Sequence, residues 1–263
     1  MDRWEVEIRM ATPQEIAELK DKIALSCRVL GRQGLTKGAL GHVSARIPGE
    51  RDKFLIKAKG PDETALEFAT VRDIITIDDE GATVEAPEGL QPPNETAMHL
   101  AVYRRRPEVQ SVIHAHPDYV VLLTAVEKPL VPLYNAYGPG VQLAIDGVPT
   151  YPRSVTIVND ELGNDFMDTM GQHDVCMLRG HGITTAGQSV EESTTNAFAI
   201  FELARMNYMA YAIGDPKPIP AQDIEEIARR RETGRGGTRP GNVVYNRFAS
   251  AWKYYKQLLG EWK

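Results

Sequence analysis

The chain has 263 residues, with 30 basic and 36 acidic side chains and a formal net charge of −6 at pH 7. Hydrophobic residues make up 42% and charged residues 25% of the chain, a composition typical of a globular protein with a sizeable core. This composition excludes a collagen-like or disordered chain, and the negative charge does not favour nucleic acid as a partner. No apolar run approaches the roughly 18 residues that a membrane span requires, so we expect no membrane association.

The two cysteines, Cys27 and Cys176, each lie within an apolar pattern. Two thiols in such positions do not make a disulfide framework, and residues 1–10 contain no signal-peptide apolar region. The sequence therefore predicts reduced cysteines in the core and a cytoplasmic location.

Helix and strand patterns alternate along the chain. The first helix is predicted from a capping box at Thr12 and Glu15, with apolar residues at helical spacing up to Leu30 and an end at Gly31 and Gly34. Strands are predicted at residues 42–47, 54–56, 74–77, 109–115 and 175–178. Further helices are predicted at residues 95–106, 118–124, 160–170, 189–213, 222–228 and 243–259. This alternation predicts a layered domain of the α/β or α+β class.

Histidines at two places have the spacing of metal ligands. His114 and His116 are separated by one residue at the end of an apolar strand, so both imidazoles point to the same face. His181 follows another buried strand and lies between Gly180 and Gly182, where the backbone can turn tightly. Three histidines on adjacent strands would form a metal site with an open position, as in catalytic zinc sites. The alternative is two surface histidines at a strand end and one histidine that stabilises a turn.

Several segments of the chain resemble the class II aldolase/adducin family over roughly residues 16–212. The segments that carry the resemblance are Gly41-His42-Val43-Ser44-Ala45-Arg46, Asn94-Glu95, Met98-His99-Leu100, Tyr103 through Val109, Val112-Ile113-His114-Ala115-His116-Pro117 and Leu178-Arg179-Gly180-His181-Gly182. Together these segments are far more specific than any one of them alone.

The resemblance implies a single three-layer α/β/α domain, with a central mostly antiparallel or mixed sheet and helices on both faces. It implies one divalent metal ion per chain, usually zinc, held by His114, His116 and His181. Manganese, cobalt or iron would suit the same ligands. It also implies that Glu95 binds the resting metal and acts as the catalytic acid/base. The alternative for Glu95 is a carboxylate in the first turn of a helix, where the helix dipole favours it.

We expect other roles for the three remaining histidines. His99 lies four residues after Glu95 on the same predicted helix face, and in the family this histidine is not a ligand. We therefore expect it to support the site or to pack in the core. His42 occupies a position that is usually asparagine in the sugar-phosphate aldolases, so we expect it to face the substrate. His173 belongs to no motif and is expected to be exposed.

Two segments depart from the phosphate-binding pattern of the aldolases. Residues 57–63 and 91–95 have lysines and prolines where those enzymes have hydroxyls and free backbone amides. These segments resemble another branch of the family, the metal-dependent decarboxylases of dihydroxyphthalate and carboxylated muconic semialdehyde. Further similarity to this branch is carried by Tyr134, Tyr137, Gly138-Pro139-Gly140 and Tyr151-Pro152-Arg153-Ser154.

The leading hypothesis is a metal-dependent lyase that breaks a carbon–carbon bond by decarboxylating a hydroxylated aromatic or muconate-type carboxylic acid. The alternative is a class II aldolase or epimerase that acts on a hydroxy-carbonyl, sugar-phosphate-like substrate. A non-catalytic scaffold of the adducin kind is disfavoured because adducin heads lack the metal ligands. The candidate substrate residues are His42, Ser44, Arg46, Lys59, Asn94, Tyr137 and Arg153. Lys57, Lys59, Arg46 and Arg153 are candidates to hold a second carboxylate, or else they are simply surface charges.

The resemblance further implies a homo-oligomer, a cyclic tetramer with each active site near a subunit interface. Residues 1–263 are expected to form one domain, in which residues 214–263 are a helical extension. Within this extension, residues 229–241 contain five arginines and four glycines and are predicted to form a loop. The extension would cover the active site; the alternative is a peripheral helix packed by its aromatic residues.

Overall fold

A mixed β-sheet lies at the centre of the computed structural model, which describes residues 9–50, 52–133, 138–232 and 247–260. Within these ranges the sheet has eight strands. The strands are β1 (His42–Arg46), β2 (Lys53–Lys57), β3 (Ile74–Asp78), β4 (Thr83–Glu85), β5 (Ser111–Ala115), β6 (Thr150–Tyr151), β7 (Val175–Leu178) and β8 (Gly182–Gly187).

The strand order is β4-β3-β2-β1-β5-β8-β7-β6. Every described pair is antiparallel except β6 with β7, which is parallel. The expectation of a mostly antiparallel or mixed sheet is therefore confirmed. The central pairing places His42 of β1 opposite His114 of β5, and His114 in turn opposite Thr184 of β8.

Helices cover both faces of this sheet. They are α1 (Pro13–Arg32), α2 (Thr96–Arg105), α3 (Asp118–Ala125), α4 (Pro139–Asp146), α5 (Asp160–Met170), α6 (Val190–Ile213), α7 (Ala221–Glu232) and α8 (Arg247–Leu258). Buried residues of α1, α3, α6 and α8 form one apolar cluster with one face of the sheet. Buried residues of α2 and α5 form a second cluster with the other face. The predicted three-layer α/β/α architecture of a single domain is confirmed.

Alternation along β1 and β5 decides which side chains can meet at the site. Val43 and Ala45 of β1 point into the cluster that contains α1 and α6. His42 and Ser44 therefore point to the opposite face, towards α2, because successive strand residues alternate between faces. His114 of β5 shares the face of Val112, which packs in the cluster with α2. The sheet thus directs three polar side chains to the layer of α2 and α5.

The first helix begins and ends where the sequence predicts. The capping box is present, since the Thr12 side chain accepts from Glu15 and the Glu15 side chain accepts from Thr12. The helix ends at Arg32, between Gly31 and Gly34, the two glycines predicted to end it, and Gly31 lies in the last turn. A Cβ at Gly31 would lie 2.6 Å from the backbone nitrogen of Glu67, so close packing explains this glycine.

Other boundaries also differ from the sequence expectation. Helix α7 continues to Glu232, beyond the predicted end at residue 228, so the predicted arginine-rich loop begins later than residue 229. The rest of that loop and residues 243–246 of the last predicted helix lie outside the described residues. The sequence analysis did not predict α4, the short strands β4 and β6, or the central strand β8.

Both cysteines are buried free thiols, as predicted. Burial raises the pKa of Cys27 and of Cys176 to about 12, so both remain protonated. Among the described residues, no helix has both the length and the apolar character that crossing a membrane would require.

Candidate metal centre

Four side chains converge beyond the end of β5. Glu95, His114, His116 and His181 each offer one ligand atom, and these atoms lie within 4.8 Å of one another. His114 is the fourth residue of β5, and His116 follows the strand directly. His181 lies in the turn that joins β7 to β8, which pairs with β5. The structure thus brings together the four residues that the sequence analysis singled out as ligands.

Glu95 is the N-cap residue of α2, and its side chain does not cap the helix. Its Oε1 atom accepts a hydrogen bond of 3.2 Å from the backbone N–H of Ile157. Its Oε2 atom lies 3.1 Å from Nε2 of His114 and 3.7 Å from Nε2 of His181. One oxygen of Glu95 is therefore held by the backbone, while the other faces the histidines. This arrangement differs from the alternative, in which Glu95 would only be a carboxylate favoured by the helix dipole.

The surroundings of His114 suit a bound cation. Its Nδ1 lies 2.9 Å from the backbone carbonyl of Ile183, so Nδ1 carries the proton and donates it. Its Nε2 is buried and makes no hydrogen bond to any described residue, although the Glu95 carboxylate lies nearby. A neutral imidazole would thus point a lone pair at a carboxylate oxygen, and a cation between the two resolves this conflict. Three imidazoles and one carboxylate are a suitable donor set for a divalent metal.

Charge and burial keep these groups in the form that binds metal. Burial raises the pKa of Glu95, but the neighbouring His114 and His181 outweigh burial and lower the pKa to about 2. Burial, followed by the neighbouring His114 and His181, lowers the pKa of His116 to about 3. Burial and His114 also lower the pKa of His181. At neutral pH the carboxylate is an anion and these two imidazoles have free lone pairs, as metal ligands require.

Two glycines allow the backbone to close around this group. A Cβ at Gly182 would lie 2.2 Å from the carbonyl oxygen of Ala115, so only glycine lets β8 begin against the end of β5. Gly41 has a φ of +85°, and a Cβ there would lie 2.9 Å from the carbonyl oxygen of His114. Both glycines therefore permit close approach of neighbouring strands to the segment that carries His114 and His116.

Two of the candidate substrate residues lie on β1, beside the centre. His42 is buried, its ring centroid lies 5.2 Å from that of His114, and its Nε2 lies 4.0 Å from Oε2 of Glu95. Ser44 is also buried and hydrogen-bonds to His99 and Tyr103. His99 is fully buried and bonded to both His42 and Ser44, in agreement with the expectation that it supports the site or packs in the core.

A second candidate pair lies on the segments that replace the phosphate-binding pattern. Lys59 donates to the side-chain oxygen of Asn94, the residue that precedes Glu95. The backbones of Lys59 and Gln91 also pair, which ties the two segments together. Lys57 is only 1% exposed, and its Nζ donates to the carbonyl of Ala58 and lies 3.8 Å from Glu63.

The remaining candidates lie in other surroundings. Arg46 donates to the backbone carbonyls of Val109 and Tyr103, four residues along β1 from His42. Arg153 is exposed and lies 3.1 Å from Asp165, which also accepts from Tyr151. His173 is exposed, as expected. The structure does not describe Tyr134 or Tyr137.

Sequence reasoning missed two contributors to this site. The backbone amide of Ile157 holds Glu95, and a backbone group has no residue-type signal. The Tyr103 hydroxyl hydrogen-bonds to Ser44, and although Tyr103 is part of a quoted segment, its pairing with β1 depends on the packing of α2 against the sheet.

Residues 21–208 match the family described as the class II aldolase and adducin N-terminal domain. This chain belongs to that family. The described residues of this family member include a group of one glutamate and three histidines that can bind a metal ion.

The proteins similar to this chain include decarboxylases and aldolases. A 3,4-dihydroxyphthalate decarboxylase of Terrabacter sp. (strain DBF63) is 39% identical over 82% of this chain and 95% of its own length. An L-fuculose phosphate aldolase of Haemophilus influenzae is 28% identical over 80% of this chain and 92% of its own length. Among solved structures, an aldolase II superfamily protein from Pseudomonas syringae has a TM-score of 0.77 at 25% identity, covering 95% of this chain and 94% of its own.

Proposed function

We propose that this protein is a divalent-metal-dependent lyase that decarboxylates a hydroxylated aromatic or muconate-type carboxylic acid. The observation that carries the proposal is the convergence of Glu95 with His114, His116 and His181. The choice of decarboxylation is supported by 39% identity to a 3,4-dihydroxyphthalate decarboxylase over most of both chains.

We propose that His114, His116 and His181 hold one metal ion per chain and that Glu95 is a further ligand. When bound, the metal supplies a Lewis acid that stabilises negative charge on substrate oxygens. Zinc suits three imidazoles and a carboxylate best, while manganese, cobalt and iron accept the same donors.

Glu95 is the proposed proton carrier of the reaction. Its low pKa makes it an anion, which is the state that can accept a proton from a substrate hydroxyl at Oε2. Decarboxylation breaks the bond between a substrate carbon and its carboxylate, and the electron pair stays on that carbon as carbon dioxide leaves. The proton on Oε2 is then given to the same carbon, which returns Glu95 to its anionic form. The hydrogen bond from Ile157 to Oε1 keeps Oε2 directed at the reacting group.

Lys59 is the proposed partner of a second substrate carboxylate. It lies beside Asn94, the residue next to Glu95, and donates to the side-chain oxygen of Asn94. A lysine suits an anionic group, and proline-containing segments lack the free amides that would hold a phosphate. We propose His42, Ser44, Arg46, Asn94, Tyr137 and Arg153 as the other residues that bind or position the substrate.

An aldolase or epimerase reaction on a hydroxy-carbonyl compound is the second candidate. It is supported by the 28% identity to an L-fuculose phosphate aldolase. The same four-residue group would serve it, because aldol cleavage also leaves an electron pair on a substrate carbon, and a metal held by these residues would supply the same Lewis acid. The two reactions differ in product: decarboxylation releases carbon dioxide, and aldol cleavage releases an aldehyde.

A substrate panel separates the two candidates. Purified protein is assayed with dihydroxyphthalates, carboxylated muconic semialdehydes and sugar phosphates, each with added zinc, manganese or cobalt. The proposal expects carbon dioxide from a hydroxylated carboxylic acid, with loss of the reaction on addition of a chelator. Cleavage of a sugar phosphate with no decarboxylation in the panel would instead establish the aldolase.

We also propose that the protein is a cytoplasmic homotetramer. Several large apolar side chains on α3 and on the second half of α6 are exposed, as expected at a contact between subunits. We retain the proposals that residues 1–263 form one domain and that residues 214–263 cover an active site. In the described part of this extension, Tyr255 of α8 stacks on Phe198 of α6 with ring centroids 4.6 Å apart.

A further inference from the structure

Four polar side chains form a continuous hydrogen-bonded chain that ends beside the metal centre. The Tyr103 hydroxyl lies 2.7 Å from Oγ of Ser44, and Oγ of Ser44 lies 2.7 Å from Nδ1 of His99. Nε2 of His99 lies 2.8 Å from Nδ1 of His42. The relay, as we call Tyr103, Ser44, His99 and His42, therefore has three links. Its far end is Nε2 of His42, which faces Glu95.

All four members of the relay are buried, with exposures of 7% for His42, 1% for Ser44, 0% for His99 and 2% for Tyr103. Burial disfavours the charged form of an imidazole or a phenol, so each member is neutral and carries one mobile proton.

Counting these protons leaves three arrangements in which every link is filled. Four protons serve three links, so one proton remains outside the links. It lies on the Tyr103 hydroxyl, pointing away from Ser44, on the Ser44 hydroxyl, pointing to the Val112 carbonyl, or on Nε2 of His42. Among the described residues, Ser44 is the only side chain that hydrogen-bonds to the Tyr103 hydroxyl. A buried phenol without an acceptor is costly, so Tyr103 donates to Ser44.

The direction then follows link by link. Ser44 accepts from Tyr103 and has its own proton to give. The nearer acceptor is Nδ1 of His99 at 2.7 Å, because the carbonyl of Val112 lies at 3.5 Å. His99 therefore carries its proton on Nε2 and donates to Nδ1 of His42, which leaves the His42 proton on Nε2.

We infer that the relay fixes His42 as a hydrogen-bond donor, Nε2–H, directed into the site beside Glu95. The separation of 4.0 Å between this nitrogen and Oε2 of Glu95 is too long for a direct hydrogen bond, so the donor is available to another acceptor. An anionic oxygen of the substrate, either a carboxylate or an ionised hydroxyl, is the group that such a donor stabilises. His42 is then the residue that contacts substrate, and His99, Ser44 and Tyr103 are positioning residues.

Arg46 anchors the Tyr103 end of the relay. Its guanidinium lies 4.7 Å from the centroid of the Tyr103 ring and donates to the Tyr103 carbonyl. The Phe54 ring stacks on the Tyr103 ring, with centroids 4.6 Å apart. These contacts hold the tyrosine in place and give Arg46 a positioning role instead of a direct substrate contact.

Nitrogen NMR of the zinc-loaded protein tests the tautomer directly. Protein labelled with ¹⁵N-histidine is examined by long-range proton–nitrogen correlation, and the His42 signals are those absent from the His42→Gln protein. We expect protonated Nε2 and unprotonated Nδ1 for His42, and the same pattern for His99. A proton on Nδ1 of His42 would overturn the inference. This measurement needs no turnover, so it stands apart from the proposed decarboxylation.

Kinetics of matched variants test the donor, and this arm rests on the proposed function. The side-chain nitrogen of glutamine reaches the position of Nε2, whereas that of asparagine reaches only the position of Nδ1. We expect His42→Asn and His42→Ala to lower kcat about hundredfold. We expect His42→Gln to lower it no more than about tenfold. Equal losses in all three variants, at unchanged metal content, would overturn the donor role.

Ser44 provides a second pair that leaves His42 intact. Ser44→Ala removes the link that sets the direction, so we expect both His42 tautomers in the NMR spectrum and a kcat lowered about tenfold. Ser44→Thr keeps the hydroxyl and should restore the single tautomer and the rate. A single Nε2–H tautomer in Ser44→Ala would show that the relay does not set it and would overturn the inference.

Discussion

At the residue scale, the surroundings of His114 most strongly indicate a bound cation. Its Nδ1 is committed to the Ile183 carbonyl, while its Nε2 has no hydrogen bond and faces a carboxylate. A metal ion would fill this position, and the lowered pKa values of His116 and His181 keep those two imidazoles unprotonated at neutral pH, as metal ligands must be.

Replacement of His181 tests the ligand set. Removing one imidazole from three leaves an incomplete site, so we expect His181→Ala to weaken metal binding by more than the 10- to 100-fold roughly typical of a supporting residue. Metal analysis after gel filtration measures this. His173→Ala is the matched control because His173 is exposed and lies outside the group. One tightly held ion per chain in His181→Ala would show that His181 is not a ligand.

Glu95→Gln separates proton transfer from metal binding. The three histidines remain, so we expect much of the metal to be retained. Turnover should fall by about 10²- to 10⁴-fold, because the amide cannot carry the proton. Metal content and kcat are measured on the same preparation. An active Glu95→Gln enzyme would remove Glu95 from the proton-transfer role.

The sequence was informative about the ligands and less informative about their support. His114 and His116 have strand spacing, and His181 lies in a glycine turn, so residue types alone pointed to them. The Ile157 amide and the direction of the relay depend on hydrogen bonds across separate elements, which no local pattern encodes.

At the scale of elements, strands with strong apolar runs were predictable and the central strand β8 was not. Strand β7 was predicted at its observed bounds because Val175–Leu178 is a continuous apolar run. Strand β8 begins and ends with glycine and contains two threonines, yet it is buried throughout. Burial on both faces removes the alternation that identifies most strands, and small residues suit the close packing of α6 against it.

The carboxylate of Asp73 stabilises the turn that leads into β3. It accepts from the backbone and hydroxyl of Thr70 and from the backbone of Thr64. Burial raises its pKa, but these hydrogen bonds outweigh burial and lower the pKa below 3.8. Because the pKa of Asp73 is lower in the folded protein than in the unfolded chain, this stabilisation is fully present above pH 3.8. It is lost as the pH falls through the pKa of the folded protein.

We therefore expect Asp73→Asn to lower the free energy of unfolding at pH 7 by about 2 kcal/mol. The difference in free energy of unfolding between this variant and the native protein should shrink as the pH falls below 3.8. Urea unfolding at several pH values measures this, with the exposed Asp21→Asn as control. A difference that does not change with pH would contradict the assignment of the effect to the Asp73 charge.

At the scale of the whole molecule, the family resemblance predicted the three-layer α/β/α architecture. The structure of a single chain does not show the oligomeric state. Leu122 on α3 and Val126 directly after it, with Tyr208, Met209 and Ile213 on α6, expose between 44% and 91% of their surface. Such side chains are candidates for a subunit contact.

Light scattering at micromolar concentration measures the assembly. We expect a mass of four times 29.2 kDa. Ile213→Glu and Val126→Glu should shift the protein towards smaller species if these residues lie in a contact, while Glu161→Gln on the exposed surface of α5 serves as control. A monomer of the native protein would contradict the tetramer.

The central claim is that one bound metal ion makes this chain a decarboxylase. The most direct test is the rate of carbon dioxide release from a hydroxylated aromatic dicarboxylic acid, measured as metal-stripped protein is titrated with zinc. We predict no release without metal and a rate that rises to a plateau at one equivalent per chain, with no such rise in His181→Ala. Carbon dioxide release by the stripped protein, or none at any metal content while a sugar phosphate is cleaved, would contradict the account.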